Sequence, residues 1–236
     1  MASIKDDRGY NQGFQMVKST EVRMRRRANL LLSEISTPEN KSILEIGCGT
    51  GEIAYWMAEK TPARVLGTDL CLPFIESAKK NFRRDNLRYD ILDFNKADQF
   101  KGEKFDYIVG NGILHHLYDH LDDAFANMRD LLKDDGKIIF LEPNYYNPYV
   151  YLIFTYPFLR KMAHLEPDEM AFTRSFVSEK LNRLGYKDIH ADYKDFLLPG
   201  IPDLFITPSI VVGDMLEKIP MLRNVSQSIF IRAAKK

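Results

Sequence analysis

The sequence predicts an α/β fold: a doubly wound, mostly parallel sheet of seven strands, carrying helical cap insertions. Two observations support this. Residues 42–70 read as strand, glycine turn, helix and second strand ending in a carboxylate, the plan by which open α/β sheets hold a nucleoside. Residues 40–142 then alternate short apolar runs with helix-length periodic segments, the pattern of a parallel sheet covered on both faces.

Taken in order, residues 1–20 are polar and contain Tyr10, which reads as part of an N-terminal lid. A helix is expected from about Glu21, with Met24, Ala28, Leu31, Leu32 and Ile35 on one face. Arg23, Arg25, Arg26 and Arg27 crowd its start, either as a solvated face or as a site for an anionic group on the substrate. Ile43, Leu44 and Ile46 make the first strand, which breaks into Gly47, Gly49 and Gly51. Ile53, Ala54, Met57 and Ala58 recur at helical spacing, and residues 65–67 form the second strand, ending at Asp69. Pro73 opens the next helix, with Phe74, Ile75, Ala78 and Phe82 turned inward. Residues 87–91 are the third strand, leading to Asp93 and Phe94; residues 105–109 are the fourth, ending in Gly110-Asn111-Gly112. An amphipathic helix through Leu121, Phe125, Met128, Leu131 and Leu132 stops at Asp134-Asp135-Gly136. Residues 137–141 are the fifth strand, running into Glu142-Pro143-Asn144.

Beyond Pro143 the character changes. Tyr145, Tyr146, Tyr149, Tyr151, Phe154, Tyr156 and Phe158 crowd into a segment too short to span a bilayer but suited to a pocket wall or an interfacial helix. A helix over residues 178–184, a strand near 187–191 and a last strand over 225–233 complete the sheet, with residues 193–225 rich in Pro, Leu, Ile and Phe.

The glycine spacing is G-x-G-x-G. The dinucleotide fingerprint needs a glycine where Glu52 stands, and no G-x-x-x-x-G-K-[ST] occurs, so neither a nicotinamide site nor a P-loop is indicated. Glycines alone would fit a tight strand-to-helix turn; Asp69 at the end of the next strand adds an acceptor for ribose hydroxyls.

Leu44-Glu45-Ile46-Gly47-Cys48-Gly49-Thr50-Gly51 resembles motif I of the class I S-adenosylmethionine (SAM)-dependent methyltransferases. Thr68-Asp69-Leu70, Asp90-Ile91-Leu92-Asp93-Phe94, Phe105-Asp106-Tyr107-Ile108-Val109 with Leu114-His115-His116-Leu117, and Leu132-Lys133-Asp134-Asp135-Gly136-Lys137 follow in that family's order. The resemblance covers about residues 40–142 and implies the Rossmann-like methyltransferase fold with SAM as cofactor. It implies that Gly47, Gly49 and Gly51 pass under the methionine part of SAM, with Glu45 near its amino-acid moiety. Asp69 would bind the ribose and Asp93 the adenine amino group, with Leu70 and Phe94 flanking the ring and Asn111 completing the cofactor set. His115 and His116, after the fourth strand, are candidate bases for an acceptor hydroxyl, although a loop-orienting role is open for both, and two consecutive side chains are not expected to aim at one atom.

In this reading the chain is one methyltransferase domain: a lid and helix at 1–37, a SAM-binding core at 40–142, and cap insertions at 143–174 and 193–225. The insertions could instead lengthen the core or make a dimer contact. Tyr10, Tyr145, Tyr146, Tyr151 and Phe154 are the candidate substrate-binding residues. No Cys/His/carboxylate cluster has metal-ligand spacing along the chain, so no metal is expected.

The 236 residues carry 33 Lys plus Arg against 33 Asp plus Glu, so no net field draws the protein to nucleic acid. Two cysteines, Cys48 and Cys71, suit a reducing compartment. With neither an apolar leader nor a run of 18 apolar residues, the expectation is a cytoplasmic protein, monomeric or homodimeric, able to touch the inner face of a membrane. The expected acceptor is a small or lipid-linked molecule methylated at oxygen. A nucleic-acid methyltransferase and a non-catalytic SAM-fold binding module are the competing readings.

Overall fold

β1, Ser42–Ile46, is buried at every residue. It is the centre of the sheet because both its edges are occupied, which is why it reads as an almost continuous apolar run. The computed structural model describes residues 17–36, 39–94 and 102–236. In it β1 pairs in parallel with β2 (Arg64–Asp69) and β4 (Phe105–Asn111). β3 (Leu87–Ile91) continues beyond β2, and β5 (Leu132–Pro143) beyond β4, both in parallel. β7 (Ser228–Lys235) then runs antiparallel to β5, and β6 (Tyr186–Lys194) pairs antiparallel with β7 at the edge. The order is β3-β2-β1-β4-β5-β7-β6, the seven-stranded, mostly parallel sheet that the sequence predicts. Strand order reverses between β1 and β4, which opens a crevice at their carboxyl ends.

Alternation along the strands builds two cores. Leu44, Ile108, Ile138 and Phe140 face α4 (Leu121–Leu131) and α7 (Arg174–Arg183), meeting Phe125, Met128 and Leu181. Ile43, Val65, Val109 and Ile139 face the other way, against Leu31 of α1 (Lys18–Ser33), Met57 of α2 (Glu52–Lys60) and Ile75 of α3 (Leu72–Asn81). Full burial of each such side chain contributes roughly 1.5–3 kcal/mol. A one-residue slip of any central strand would exchange the two cores.

Several boundaries depart from the expected ones, three of them in the carboxyl-terminal half of the chain with a visible cause or consequence. β5 begins at Leu132 rather than residue 137, so Asp134-Asp135-Gly136 lies inside the strand. The excursion is absorbed by Asp135 in the left-handed region (φ 57°) and by a register shift between Phe105 and Tyr107. α7 starts at Arg174, where the Thr173 hydroxyl caps the Phe176 amide at 3.2 Å. β7 starts only at Ser228, because the preceding carbonyls are bound by side chains: Asn144 donates to Asn224 O and Ser226 O, and Asn147 to Val225 O.

Register fixes where the two apolar segments leave the sheet. Pro143 and Lys194 both pair with Ser228, so the chain exits β5 and β6 at the same, carboxyl edge. The first exit leads to α5 (Pro148–Thr155) and α6 (Pro157–Met162), the second to α8 (Asp203–Leu216) and α9 (Pro220–Arg223). No described helix is long and apolar enough to cross a membrane. Tyr10 and the proposed lid at residues 1–16 lie outside the described residues.

Candidate active site

The crevice has a glycine side and a histidine side. On the glycine side, Gly47, Gly49 and Gly51 all take left-handed backbone conformations (φ 66°, 53° and 92°). A Cβ at Gly47 would lie 2.6 Å from Ile113, and one at Gly51 2.7 Å from Ala78, so packing alone forbids side chains there. At Gly49 the same Cβ would meet nothing within 4 Å: this glycine borders open space and keeps the backbone approachable. The turn is anchored by Cys48, whose amide donates to Thr68 O at 2.9 Å. Asp69 anchors it too, accepting from Gly49 N at 2.9 Å and Cys71 N at 2.8 Å, one on each carboxylate oxygen.

Glu45 sits inside β1, 1 % exposed, with its Oε2 lacking a hydrogen-bond partner. Burial, then the nearby Glu52 charge, push its carboxyl up to about 8; an amide hydrogen bond from Ala54 opposes them. A buried carboxyl with one unsatisfied oxygen beside an open glycine turn suits a polar, cationic ligand group. That is the fit expected for the amino-acid end of SAM.

Asp93 lies half-buried two residues past β3, where the Leu92 amide donates to Asp69 O. Leu70 is 48 % exposed at the mouth. Phe94 is packed in the core, 6 % exposed, so only a ring edge is available to any ligand. The Asn111 side-chain oxygen accepts from Arg27 Nη1 at 2.8 Å.

On the histidine side, Glu142 organises the turn after β4. Wholly buried, it accepts from the amides of Ile113, Leu114 and His115 at 3.0, 2.9 and 3.2 Å. It also holds His115 Nδ1 at 2.9 Å. The His115 and His116 rings lie at a 39° tilt with centroids 4.2 Å apart, and Phe154 meets the His115 ring edge-on at 5.8 Å. Both rings reach one carboxylate: His116 Nδ1 is 2.9 Å from Glu169 Oε1, and His115 Nε2 is 3.8 Å from Glu169 Oε2. The two consecutive side chains thus converge on one carboxylate without aiming at one atom, because each uses a different oxygen. Burial and the neighbouring His116 hold His115 below its ordinary range, against Glu142. Burial also pulls on His116, but the hydrogen bond and charge of Glu169 prevail and hold it above that range. Glu169 lies below its own, since His116 outweighs burial.

Among the described aromatic candidates, Phe154 is the one that meets a histidine ring. Tyr145 and Tyr151 pack edge-on against each other at 5.3 Å, and Tyr146 is exposed. The arginine cluster divides: Arg23 and Arg27 turn into the fold and are paired there, while Arg25 stays exposed, as on a solvated face. Arg27 is buried and binds Asp195, Asn111 and Ser228; Arg23 binds Gln227, Arg26 binds Asp214, and Arg25 pairs with Glu21 over the Trp56 ring. A shallow polar concavity of about 620 Å³, lined by residues such as Lys60, Arg84 and Asn86, opens at the amino ends of β2 and β3, away from this chemistry.

Neither Glu142 nor Glu169 was among the expected site residues. Glu142 carried a signal: an acid ending the fully apolar run Ile138-Ile139-Phe140-Leu141 needs a buried partner. Glu169 carried none, since only the fold brings it to the histidines.

Sheet order, glycine turn and terminal Asp69 define a nucleoside-binding α/β protein of the methyltransferase type. Residues 44–138 match the family model described as a methyltransferase domain. The ubiquinone/menaquinone biosynthesis C-methyltransferase UbiE of Desulfotalea psychrophila is 29 % identical over 203 residues, 79 % of this chain and 80 % of that protein. The malonyl-[acyl-carrier protein] O-methyltransferase of Acetivibrio thermocellus is 28 % identical over 116 residues, 48 % of this chain and only 40 % of that one. A SAM-dependent methyltransferase structure from Archaeoglobus fulgidus shares the fold, with TM-score 0.62, 17 % identity, and coverage of 92 % of this chain and 93 % of that one. Residues 44–138 therefore form a methyltransferase domain of the SAM-dependent type, and SAM is its cofactor.

Proposed function

We propose that this enzyme methylates an apolar, hydroxyl-bearing acceptor, a small or lipid-linked molecule, at oxygen. The observation that supports it is the buried His115–His116–Glu169 cluster at the carboxyl ends of β4 and β5, walled by Phe154. SAM, when bound, supplies an electrophilic methyl on its sulfonium. The protein's part is to bind, align and dry the reactants; alignment alone is worth about 7–11 kcal/mol in favourable cases. Gly47, Gly49 and Gly51 give the backbone close approach. Glu45 meets the amino-acid end, Asp69 the ribose hydroxyls, and Asp93 the adenine amino group, with Leu70 and the edge of Phe94 beside the ring and Asn111 positioned by Arg27. The histidine cluster takes charge of the acceptor's hydroxyl proton.

In this reading the segments 143–174 and 193–225 form a cap over the crevice, consistent with their shared exit edge. Tyr145, Tyr146, Tyr151 and Phe154 line its acceptor side. The cap's outer face carries Phe158, Leu204 and Met221, exposed at 73, 79 and 83 %, beside the exposed cations Lys161, Lys218 and Arg223. That combination suits the surface of an anionic bilayer.

A second reading, methylation at carbon, is favoured by the similarity to a C-methyltransferase of quinone biosynthesis. Both readings start from loss of a hydroxyl proton. Incubation with methyl-labelled SAM and a lysate resolved into lipid, small-molecule and polymer fractions tests the acceptor class. Label confined to polymer would overturn it, and the carbon-13 shift of the transferred methyl separates oxygen from carbon.

A further inference from the structure

We propose that His115, His116 and Glu169 bind a divalent transition-metal ion of the zinc type. Three independent features of the cluster point there.

The first is spacing. The ligand atoms of the three residues all lie within 4.8 Å of one another. Metal–ligand bonds of about 2.0–2.2 Å in a tetrahedral site put neighbouring donors roughly 3.4 Å apart. The distances here, 2.9 Å for His116 Nδ1 to Glu169 Oε1 and 3.8 Å for His115 Nε2 to Glu169 Oε2, bracket that value. Small ring rotations reach it.

The second is orientation. Glu142 accepts at His115 Nδ1, so in that tautomer Nε2 presents a lone pair towards Glu169. A carboxylate behind a ligating imidazole is the arrangement that fixes ring and tautomer in metal sites. Glu169 Oε2, on a residue 1 % exposed, has no hydrogen-bond partner and faces that lone pair. Two acceptors confront each other, and a cation between them satisfies both.

The third is charge. Among the described residues, Glu142 and Glu169 pair only with histidines. The Arg160 guanidinium donates instead to the backbone carbonyls of Phe154, Glu166, Pro167 and Glu169, holding the loop that presents Glu169. The cluster therefore holds buried carboxylates without a fixed cation. Two imidazoles and one carboxylate leave a coordination position open, as in catalytic rather than structural zinc sites. An acceptor hydroxyl oxygen would occupy it; that last point alone rests on the function proposed above.

The test uses the full chain, stripped with a chelator and titrated with Zn²⁺ by calorimetry and with Co²⁺ by visible absorption. One equivalent should bind, with cobalt d–d bands of a low-symmetry site. His116→Ala and Glu169→Gln should each weaken binding at least about tenfold, while His164→Ala, at an exposed histidine, should not. X-ray absorption of the zinc-loaded wild type should count two imidazoles, which keeps the test valid if the variants misfold. Absent cobalt bands, one imidazole or none, or binding untouched in both variants would overturn the site. Because the metal alone is the probe, that failure would leave the methyltransferase reading standing.

Discussion

Arg27 Nε donates to Asp195 Oδ2 at 2.9 Å, joining positions 168 residues apart and tying α1 to the start of the segment that follows β6. The same guanidinium reaches Asn111 at the end of β4 and Ser228 at the start of β7. One side chain thus clamps three elements at the carboxyl edge, with both charges under 10 % exposed.

Removing either partner leaves the other charge buried. Asp195→Ala should lower stability by about 3–5 kcal/mol and Arg27→Ala by less, because Arg23 Nε remains 3.5 Å from Asp195 Oδ2, and the double variant should lose much less than the sum. Urea denaturation of all four proteins checks this, and additive losses would show that the two residues do not act as a pair.

Asp69 has two jobs to separate. Its carboxylate ties Gly49 to Cys71 and is proposed to accept from the ribose hydroxyls. Asp69→Ala should weaken SAM binding about 10–100-fold, the worth of hydrogen bonds to a charged group. Calorimetry with a 2′-deoxy cofactor analogue distinguishes the roles. The wild type should lose affinity for the analogue and the variant should lose little more; equal losses in both would assign Asp69 to the turn alone.

Glu45, pushed up to about 8 from an ordinary value of 4.5, binds its proton more tightly folded than unfolded. Its contribution to stability is full below about pH 4.5 and is lost as the pH rises through about 8. Asp106 and Asp195 are held below their ordinary range and act oppositely at acid pH, so the comparison with Glu45→Gln isolates the effect. The stability of that variant relative to wild type should rise from pH 5 to pH 9. A flat difference would mean that Glu45 is ionised in the fold.

The succession of strands and helices along the chain and the glycine turn were legible because local pattern decides them: apolar runs, glycines and a terminal Asp69 lie within one short stretch. The histidine side was half legible. His115 and His116 stand in a motif, but Glu169 reaches them only through the Asn144–Phe172 bridge and the Arg160-braced loop. Whereas Arg25 pairs locally with Glu21, the pairing of Arg23, Arg26 and Arg27 was not legible, for the same reason. Their partners, Asp195, Asp214 and Gln227, come from the far end of the chain, and no local spacing records them.

If the histidine cluster handles the acceptor's proton, His115→Ala or His116→Ala should lower turnover about 10²–10⁴-fold with SAM affinity nearly unchanged. SAM binding lost in proportion to rate would assign the residue to holding the loop. Full activity in both variants would remove the histidines from the chemistry.

The cap face gives the last prediction. α8 buries only Ile206 and Gly213 of its fourteen residues, and α6 buries none. If this face meets an anionic lipid surface as proposed, the exposed Lys161, Lys218 and Arg223 supply the attraction and the apolar side chains the insertion. Arg160 cannot serve there, since the loop carbonyls occupy it. Phe154 is likewise a poor probe, being buried beside His115, whereas Phe158 and Met221 have little packing to lose. The double variant Phe158→Ser/Met221→Ser should fold normally and bind SAM as the wild type does. It should also sediment less with phosphatidylserine vesicles and methylate a lipid-linked acceptor more slowly. Wild-type protein that stays in the supernatant with such vesicles at low salt would sink the membrane contact.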